Sequence, residues 1–349
     1  MAQVSDIEQR LAAYLEASLA SLRILDSGWE TTIFEFILGT RSGRSANLPL
    51  ATPLVLRFYE GSSAKDKSVR EITVFKCLAA NGFPVPRAYL FEPDAGPLGA
   101  PFLVMQRLGG GPLFATRSFP QAFKTFALGF FAFVRAQARL HRITAVPGDY
   151  PRAFRAAGIA PDAPLLDRLL NIIDGRIERG PLPGLKDALD RLRAQADRFR
   201  AAPEAPLHMD YHPQNVLVEG LRVTGVIDWV NADRGDRHLD AATTSVILAT
   251  SAFEHPRWMR DNAAGNLLRA NFAGMYLPFY HAMLPMDLTR FRYCQGVGAL
   301  LRLSMFGMMR TRGADAAGFR PEAMKNVTPA VVRLLSRYAS RKIGVPTSI

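Results

Sequence analysis

One short segment constrains this chain more than any other. Leu207 to Trp229 reads LHMDYHPQNVLVEGLRVTGVIDW. It sets His208, Asp210 and Asn215 in a single loop, continues in an apolar run, and ends at the close of a short hairpin on a second acidic residue, Asp228. Whatever the fold, it must bring two carboxylates and an amide together around that hairpin. A buried polar cluster with no task costs stability, so the segment reads as a working site.

The spacing limits the chemistry. An Asp, four residues and then an Asn is the arrangement of a phosphoryl-transfer loop, where little covalent chemistry is needed and positioning and charge neutralisation dominate. Asp210 can take a proton from a substrate hydroxyl. Asn215 and Asp228 offer the hard oxygen donors that suit magnesium. His208 is expected to hold the loop by hydrogen bonds and not to act as the base. His212, before Pro213, either faces substrate or is an exposed loop residue.

Composition narrows the class. With 349 residues, 48% hydrophobic and 21% charged, the chain suits two globular lobes, each with its own core. Cys77 and Cys294 stand alone, without metal-ligand spacing, so neither a disulfide framework nor a zinc site is expected. The start, MAQVSDIEQRL, lacks a basic region followed by an apolar stretch, so no secretory signal is expected and a cytoplasmic setting is. Phe126 to Val134, the most apolar run, is too short to span a bilayer and reads as a buried helix. The net charge is +12, but basic residues are scattered and not interleaved with aromatics. A solvated basic surface is therefore expected, not a nucleic-acid site.

Periodicity predicts a helix over 6–22, strands over 32–38 and 54–59, and a Ser/Gly/Arg-rich turn over 39–47. A helix over 69–81 follows, then strands over 87–92 and 102–106. Gly109, Gly110, Gly111 and Pro112 break the pattern. Helices are expected over 121–141, 165–180 and 185–199, and from about Leu239 to the end. The expected organisation is α+β: residues 1–107 as a nucleotide-binding lobe with a leading helix and a small mixed β-sheet, and 108–349 as a larger helical lobe for catalysis and substrate.

HMDYHPQN (His208 to Asn215) followed by VIDW (Val226 to Trp229) resembles the aminoglycoside phosphotransferase and choline kinase-type family, a small-molecule branch of the protein-kinase-like fold. The resemblance covers roughly residues 22–245. It implies a bilobal kinase-like fold, with ATP or GTP and Mg²⁺ as cofactors. It implies Asp210 as catalytic base, Asn215 and Asp228 as metal ligands, and His208 and Asp240 as loop supports. LDSGWETTIFEF resembles the nucleotide-covering loop, with Ser27, Gly28, Thr31 and Thr32 as phosphate contacts. In LVLRFYEG the family places a Lys, and this chain has Arg57. Arg57 is expected to pair with Glu71 and a phosphate, although a planar fork is not a compact point charge. The same pair also reads as a structural ion pair. Lys65 and Lys67, expected in the following turn, are rival phosphate contacts. FLVMQRLGGGPL resembles the interlobe hinge, with Gln106 and Leu108 offering backbone hydrogen bonds to a base and Met105 lining the pocket behind it.

The acceptor is less constrained. Residues 253–349 carry fourteen Lys or Arg against five Asp or Glu, a poor setting for a polycation. The same segment is rich in aromatics, among them Trp258, Phe272, Tyr276, Tyr280 and Phe306, which read first as core. A small-molecule hydroxyl that is neutral, anionic or apolar-faced is expected, with a choline-type cation in an aromatic cage still open. Two other readings stay open: a pseudokinase that binds nucleotide or a partner without turnover, suggested by Arg57, and a nucleic-acid or anionic-surface binder on the same scaffold, suggested by the charge.

Overall fold

The computed structural model describes residues 2–27, 31–61, 63–113, 119–144, 146–251 and 261–349. Gly28 and Trp258 lie outside the described residues, and of Ser27 only the backbone is described. The chain forms two compact units. The first holds 1–109 together with 318–320, and the second holds 110–317 and 321–349.

The first unit opens with α1 (Ala2–Leu15), followed by β1 (Leu19–Ser27), β2 (Thr31–Leu38) and β3 (Leu54–Tyr59). Then come α2 (Ala64–Ala80), β4 (Ala88–Glu92) and β5 (Phe102–Gln106). The strand order is β1-β2-β3-β5-β4. Every pairing is antiparallel, a narrower result than the mixed sheet expected. β4 and β5 form a hairpin that inserts β5 next to β3, so the crossover through α2 joins strands that are not direct neighbours. One face of this sheet meets α1: Leu11 and Leu15 lie with Phe36, Leu56, Phe102 and Val104, all with no exposed surface. Full burial of each such side chain contributes about 1.5–3 kcal/mol.

The leading helix is shorter than the 6–22 predicted. Glu16 takes a left-handed backbone (φ 53°), which no helix can continue through, and Leu19 to Leu22 become strand. No Gly or Pro announces this stop. α2 begins five residues earlier than expected, so Lys65 and Lys67 are helical and not in a turn.

The second unit contains β6 (Gly111–Pro112), α3 (Phe119–Leu140), α4 (Leu165–Arg179) and α5 (Lys186–Arg193). It continues with β7 (Glu204–Leu207), β8 (Val216–Glu219), β9 (Arg222–Val226) and β10 (Asp233–Asp236), and closes with α6 (Arg237–Thr250), α7 (Ala263–Met283), α8 (Leu288–Arg312) and α9 (Pro329–Ile343). The helix expected over 185–199 is split: α5 stops at Arg193 and a separate 3₁₀ turn covers Ala196–Arg198. In α3, Phe130, Phe133 and Val134 are buried while Phe131 is 50% exposed, so the apolar run there is only partly core.

α6 and α8 are buried on nearly all sides, the mark of central helices. They approach closely at Gly298, where a Cβ would stand 3.2 Å from Thr243 Oγ1 and 3.5 Å from Thr243 Cα. β8 and β9 form the short hairpin read from the sequence, and β7 pairs with β10. These two small ladders frame the loop 208–215 and the turn at 227–232.

Candidate active site

The loop 208–215 is fixed by its own side chains and by the start of α6. The His208 ring accepts the Asp210 amide on Nδ1 (3.3 Å) and reaches the Ile227 carbonyl oxygen with Nε2 (3.0 Å). One neutral tautomer satisfies both, with the proton on Nε2. Neither ring nitrogen is left for a substrate proton. The ring also rests on Trp229, centroids 4.5 Å apart, so the HMD and IDW segments share one contact.

Asp240 lies in the first turn of α6 and has no exposed surface. It accepts the amides of His208 (3.2 Å) and Met209 (2.6 Å), the Gln137 side-chain amide (3.1 Å) and His141 Nε2 (2.9 Å). An ionised carboxylate only accepts, so His141 carries a proton on Nε2, while its Nδ1 lies 2.6 Å from the Tyr280 hydroxyl. Burial alone would push the Asp240 carboxyl up. The His141 hydrogen bond and charge, followed by the Gln137 hydrogen bond, outweigh it and hold the carboxyl below its ordinary value. Asp236 caps the same helix, accepting the His238 amide at 2.9 Å.

Two non-glycine residues in this region have left-handed backbones: Met209 (φ 61°) and Asp228 (φ 67°). Such conformations cost about 1–3 kcal/mol and persist only where the surroundings enforce them. At Met209 the enforcement is visible, in the Asp240 bond to its amide. The left-handed turns flank Asp210 on one side and form Asp228 itself on the other.

The Asp210 side chain is 26% exposed, and among the described residues no protein donor stands within 3.5 Å of its carboxylate oxygens. His212 Nε2 lies 3.6 Å from Oδ2 and Arg302 Nη1 lies 3.7 Å from Oδ1, both beyond hydrogen-bond length. Burial raises this carboxyl, but His212 and Arg302 outweigh it and lower its pKa to about 2. The result is an ionised carboxylate with its lone pairs open.

Asn215 is buried. Its Nδ2 donates to the Asp210 carbonyl oxygen (3.0 Å) and stands 3.1 Å from His212 Nε2. That leaves the side-chain carbonyl as the atom available to a cation. The Ile227 amide donates to the Asn215 carbonyl oxygen at 3.0 Å, which ties Asn215 to the residue before Asp228. An amide oxygen and a carboxylate are hard donors. Among the described residues no group of three or more His, Cys, Asp or Glu could hold a metal. Magnesium does not need one, because it keeps several waters and borrows phosphate oxygens. The donor set fits a hard divalent cation such as magnesium.

In the first unit, Arg57 and Glu71 are both buried, with Arg57 Nε 3.0 Å from Glu71 Oε2. Tyr59 donates to the same Glu71 oxygen through a short hydrogen bond, and the Arg57 guanidinium stands over the Tyr59 ring. Lys65 instead forms an exposed pair with Asp94 at 2.7 Å. Thr31 is buried at the start of β2. The Thr32 hydroxyl contacts Glu60 at 3.4 Å and accepts from Arg320 Nη1 at 3.0 Å. Met105 is buried on β5. The Gln106 amide donates to the Arg87 carbonyl oxygen (2.8 Å), so only its carbonyl is left to meet a ligand. The Leu108 carbonyl accepts from Arg107 at 2.7 Å.

Sequence reading missed four contributors. Gln137, in the last turn of α3, and His141, just past its end, brace Asp240; their signal is two polar residues spaced one turn apart at the end of an apolar helix. Arg320, far along the chain, reaches Thr32 with no local signal. Arg302 did have one: it is the lone charge between Val297 and Met309.

The sequence profile of the phosphotransferase enzyme family (APH) matches residues 21–283. The chain belongs to this family. Solved structures of related folds agree. A proposed aminoglycoside phosphotransferase from Ralstonia eutropha JMP134 superposes with a TM-score of 0.61 at 16% identity, covering 95% of this chain and 98% of that one. Aminoglycoside phosphotransferase APH(4)-Ia gives 0.59 at 16% identity, covering 90% and 99%. ADP-bound APH(2'')-Ib gives 0.56 at 14% identity, covering 96% and 99%. At these identities the likeness shows a shared kinase-like α+β fold. No curated protein matches the sequence significantly. Among the described residues no helix is long and apolar enough to cross a membrane.

Proposed function

We propose that this phosphotransferase-family chain is a small-molecule kinase that moves the γ-phosphoryl of ATP or GTP to an alcohol. The observation that carries the reading is the Asp210 carboxylate: ionised, with no protein donor within hydrogen-bond length of either oxygen, and held by a loop in which His208, the Met209 amide and Tyr211 are engaged. An acceptor hydroxyl donates to Asp210 as its oxygen attacks. The acceptor O–P bond forms, the bond from the γ-phosphorus to the diphosphate breaks, and the proton passes to Asp210. Asn215 and Asp228 would hold magnesium, which supplies charge neutralisation on the nucleotide phosphates. His208 and Asp240 hold the loop in register. Arg57, Thr31 and Thr32, with the Gln106 carbonyl, the Leu108 amide and the Met105 side chain, are the nucleotide contacts offered by the first unit. The APH(4)-Ia relative has been solved in a ternary complex with ADP and hygromycin B, which supports nucleotide use. The basic C-terminal segment argues against an aminoglycoside-like polycation here.

The pseudokinase reading keeps one specific support, the buried Arg57–Glu71–Tyr59 cluster, which satisfies Glu71 without a phosphate. Calorimetric titration with ATP and GTP, each with and without Mg²⁺, separates the two. Magnesium-dependent binding supports the kinase. No binding of either nucleotide would leave the Arg57 cluster as architecture alone.

A further inference from the structure

Arg302 stands mid-way along α8, where nearly every neighbouring position is buried. Its Nε is buried without a hydrogen-bond partner, Nη1 stops 3.7 Å short of Asp210 Oδ1, and its guanidinium lies over the Phe306 ring at 5.6 Å. Burying a guanidinium is costly unless its donors are filled. The same unit shows what a structural pair looks like: Arg168 grips Asp233 with two bonds of 2.7 and 2.9 Å. Arg302 makes no such bond among the described residues, although a carboxylate faces it. Burial lowers its pKa, more than Asp210 raises it, so the guanidinium is under-compensated where it stands. A hydroxyl that reaches Asp210 Oδ1 at about 2.6–3.2 Å comes up beside these open donors.

We propose that Arg302 reads the charge of the acceptor. It binds an oxyanion, carboxylate or phosphate, carried by the acceptor close to the hydroxyl that Asp210 engages. The acceptor class is then a hydroxylated acid, the opposite charge to an aminoglycoside. The surplus of Lys and Arg over Asp and Glu in residues 253–349 favours the approach of such an anion. This inference rests on the phosphotransferase reading for the identity of the engaged hydroxyl.

Gluconate, glucitol and glucamine share one open six-carbon chain and differ in charge. Each is titrated calorimetrically into the protein with ADP and Mg²⁺, and each is offered as acceptor with ATP. Gluconate is expected to bind, and to exceed glucitol at least tenfold in kcat/KM, with glucamine last. Arg302→Met is expected to raise the gluconate KM by about tenfold to a hundredfold, the loss of a charge-assisted hydrogen bond, with a much smaller change in kcat. Asp210 stays ionised at neutral pH in that variant, because its carboxyl starts from about 2. Arg302→Lys is expected to recover part of the loss, and Arg302→Glu to move preference toward glucamine. Circular dichroism checks that each variant is folded.

Three results would overturn the proposal. One is no gluconate binding to the unaltered protein. Another is an unchanged gluconate-to-glucitol ratio in Arg302→Met. The third is an equal fall in kcat for all three probes, which would place Arg302 on the transferred phosphoryl. The kinase reading fails differently: gluconate binds through Arg302, no probe is phosphorylated, and Asp210→Ala changes nothing.

Discussion

The Met209 amide donates to Asp240 Oδ1 at 2.6 Å, across a separation of 31 residues. That bond holds Met209 in a left-handed turn, and the turn decides where the next side chain, Asp210, points. Removing the acceptor should therefore damage both the fold and the site. Asp240→Ala leaves two amides, Gln137 and His141 buried without it, a loss expected to reach about 3–5 kcal/mol. Urea denaturation checks it: a lower midpoint with an unchanged slope is the expected outcome, and a midpoint equal to that of the parent protein would refute the bracing role.

The same carboxylates set the acid limit of stability. Asp240, Asp236 and Asp210 all have folded pKa values depressed below the ordinary range. A depressed carboxyl contributes stability above its unfolded pKa, about 3.9, and that contribution is lost as pH falls through the folded value. Unfolding free energy should hold level from neutral pH to about 4 and then drop. Denaturation midpoints measured between pH 6 and pH 3 test this, and a decline that starts near pH 6 would contradict it.

Asp210 should govern turnover without governing nucleotide binding. Asp210→Ala is expected to lower kcat by about 10²–10⁴-fold while the ATP dissociation constant moves little. Because its pKa is about 2, Asp210 should add no inflection to the kcat/KM profile above pH 4. An acidic inflection near pH 6 that disappears in Asp210→Asn would show that the carboxyl is not held ionised.

Asp228 offers a comparison of two substitutions. Both Asp228→Ala and Asp228→Gly remove the carboxylate and should weaken magnesium-dependent nucleotide binding equally. Only glycine tolerates φ 67° without strain. Asp228→Gly should therefore be more stable than Asp228→Ala by about 1 kcal/mol. Denaturation of the two variants side by side decides it, and the reverse order would count against backbone strain at this position.

Arg57 and Glu71 can be separated from nucleotide contact by a double-mutant cycle. Arg57→Met removes the buried cation that pairs with Glu71 and should cost about 3 kcal/mol or more. Adding Glu71→Gln should recover part of that cost. Independent, additive losses would mean that the buried pair contributes nothing as a pair.

The sequence made some of this legible and hid the rest for physical reasons. HMDYHPQN and VIDW were readable because their chemistry fixes residue type and spacing within one short stretch. The strands at Leu54 to Tyr59 and Phe102 to Gln106 were readable because buried strands need continuous apolar runs. The end of α1 was not, because the break at Glu16 is a backbone conformation in a residue with no special preference for it. The clustering of Arg302 with Asp210, or of Arg320 with Thr32, depends on tertiary packing between distant elements, and no local pattern encodes a contact across 92 or 288 positions.

Gly298 lets α8 lie against Thr243 of α6, one helical turn before Arg302. The register of α8 is therefore locked to the same helix that carries Asp240 and, through it, the loop 208–215. The side chain at position 302 can change while the backbone that aims Asp210 stays put. A lineage built on this frame could acquire a new substrate by altering a single codon and keep its phosphate chemistry intact.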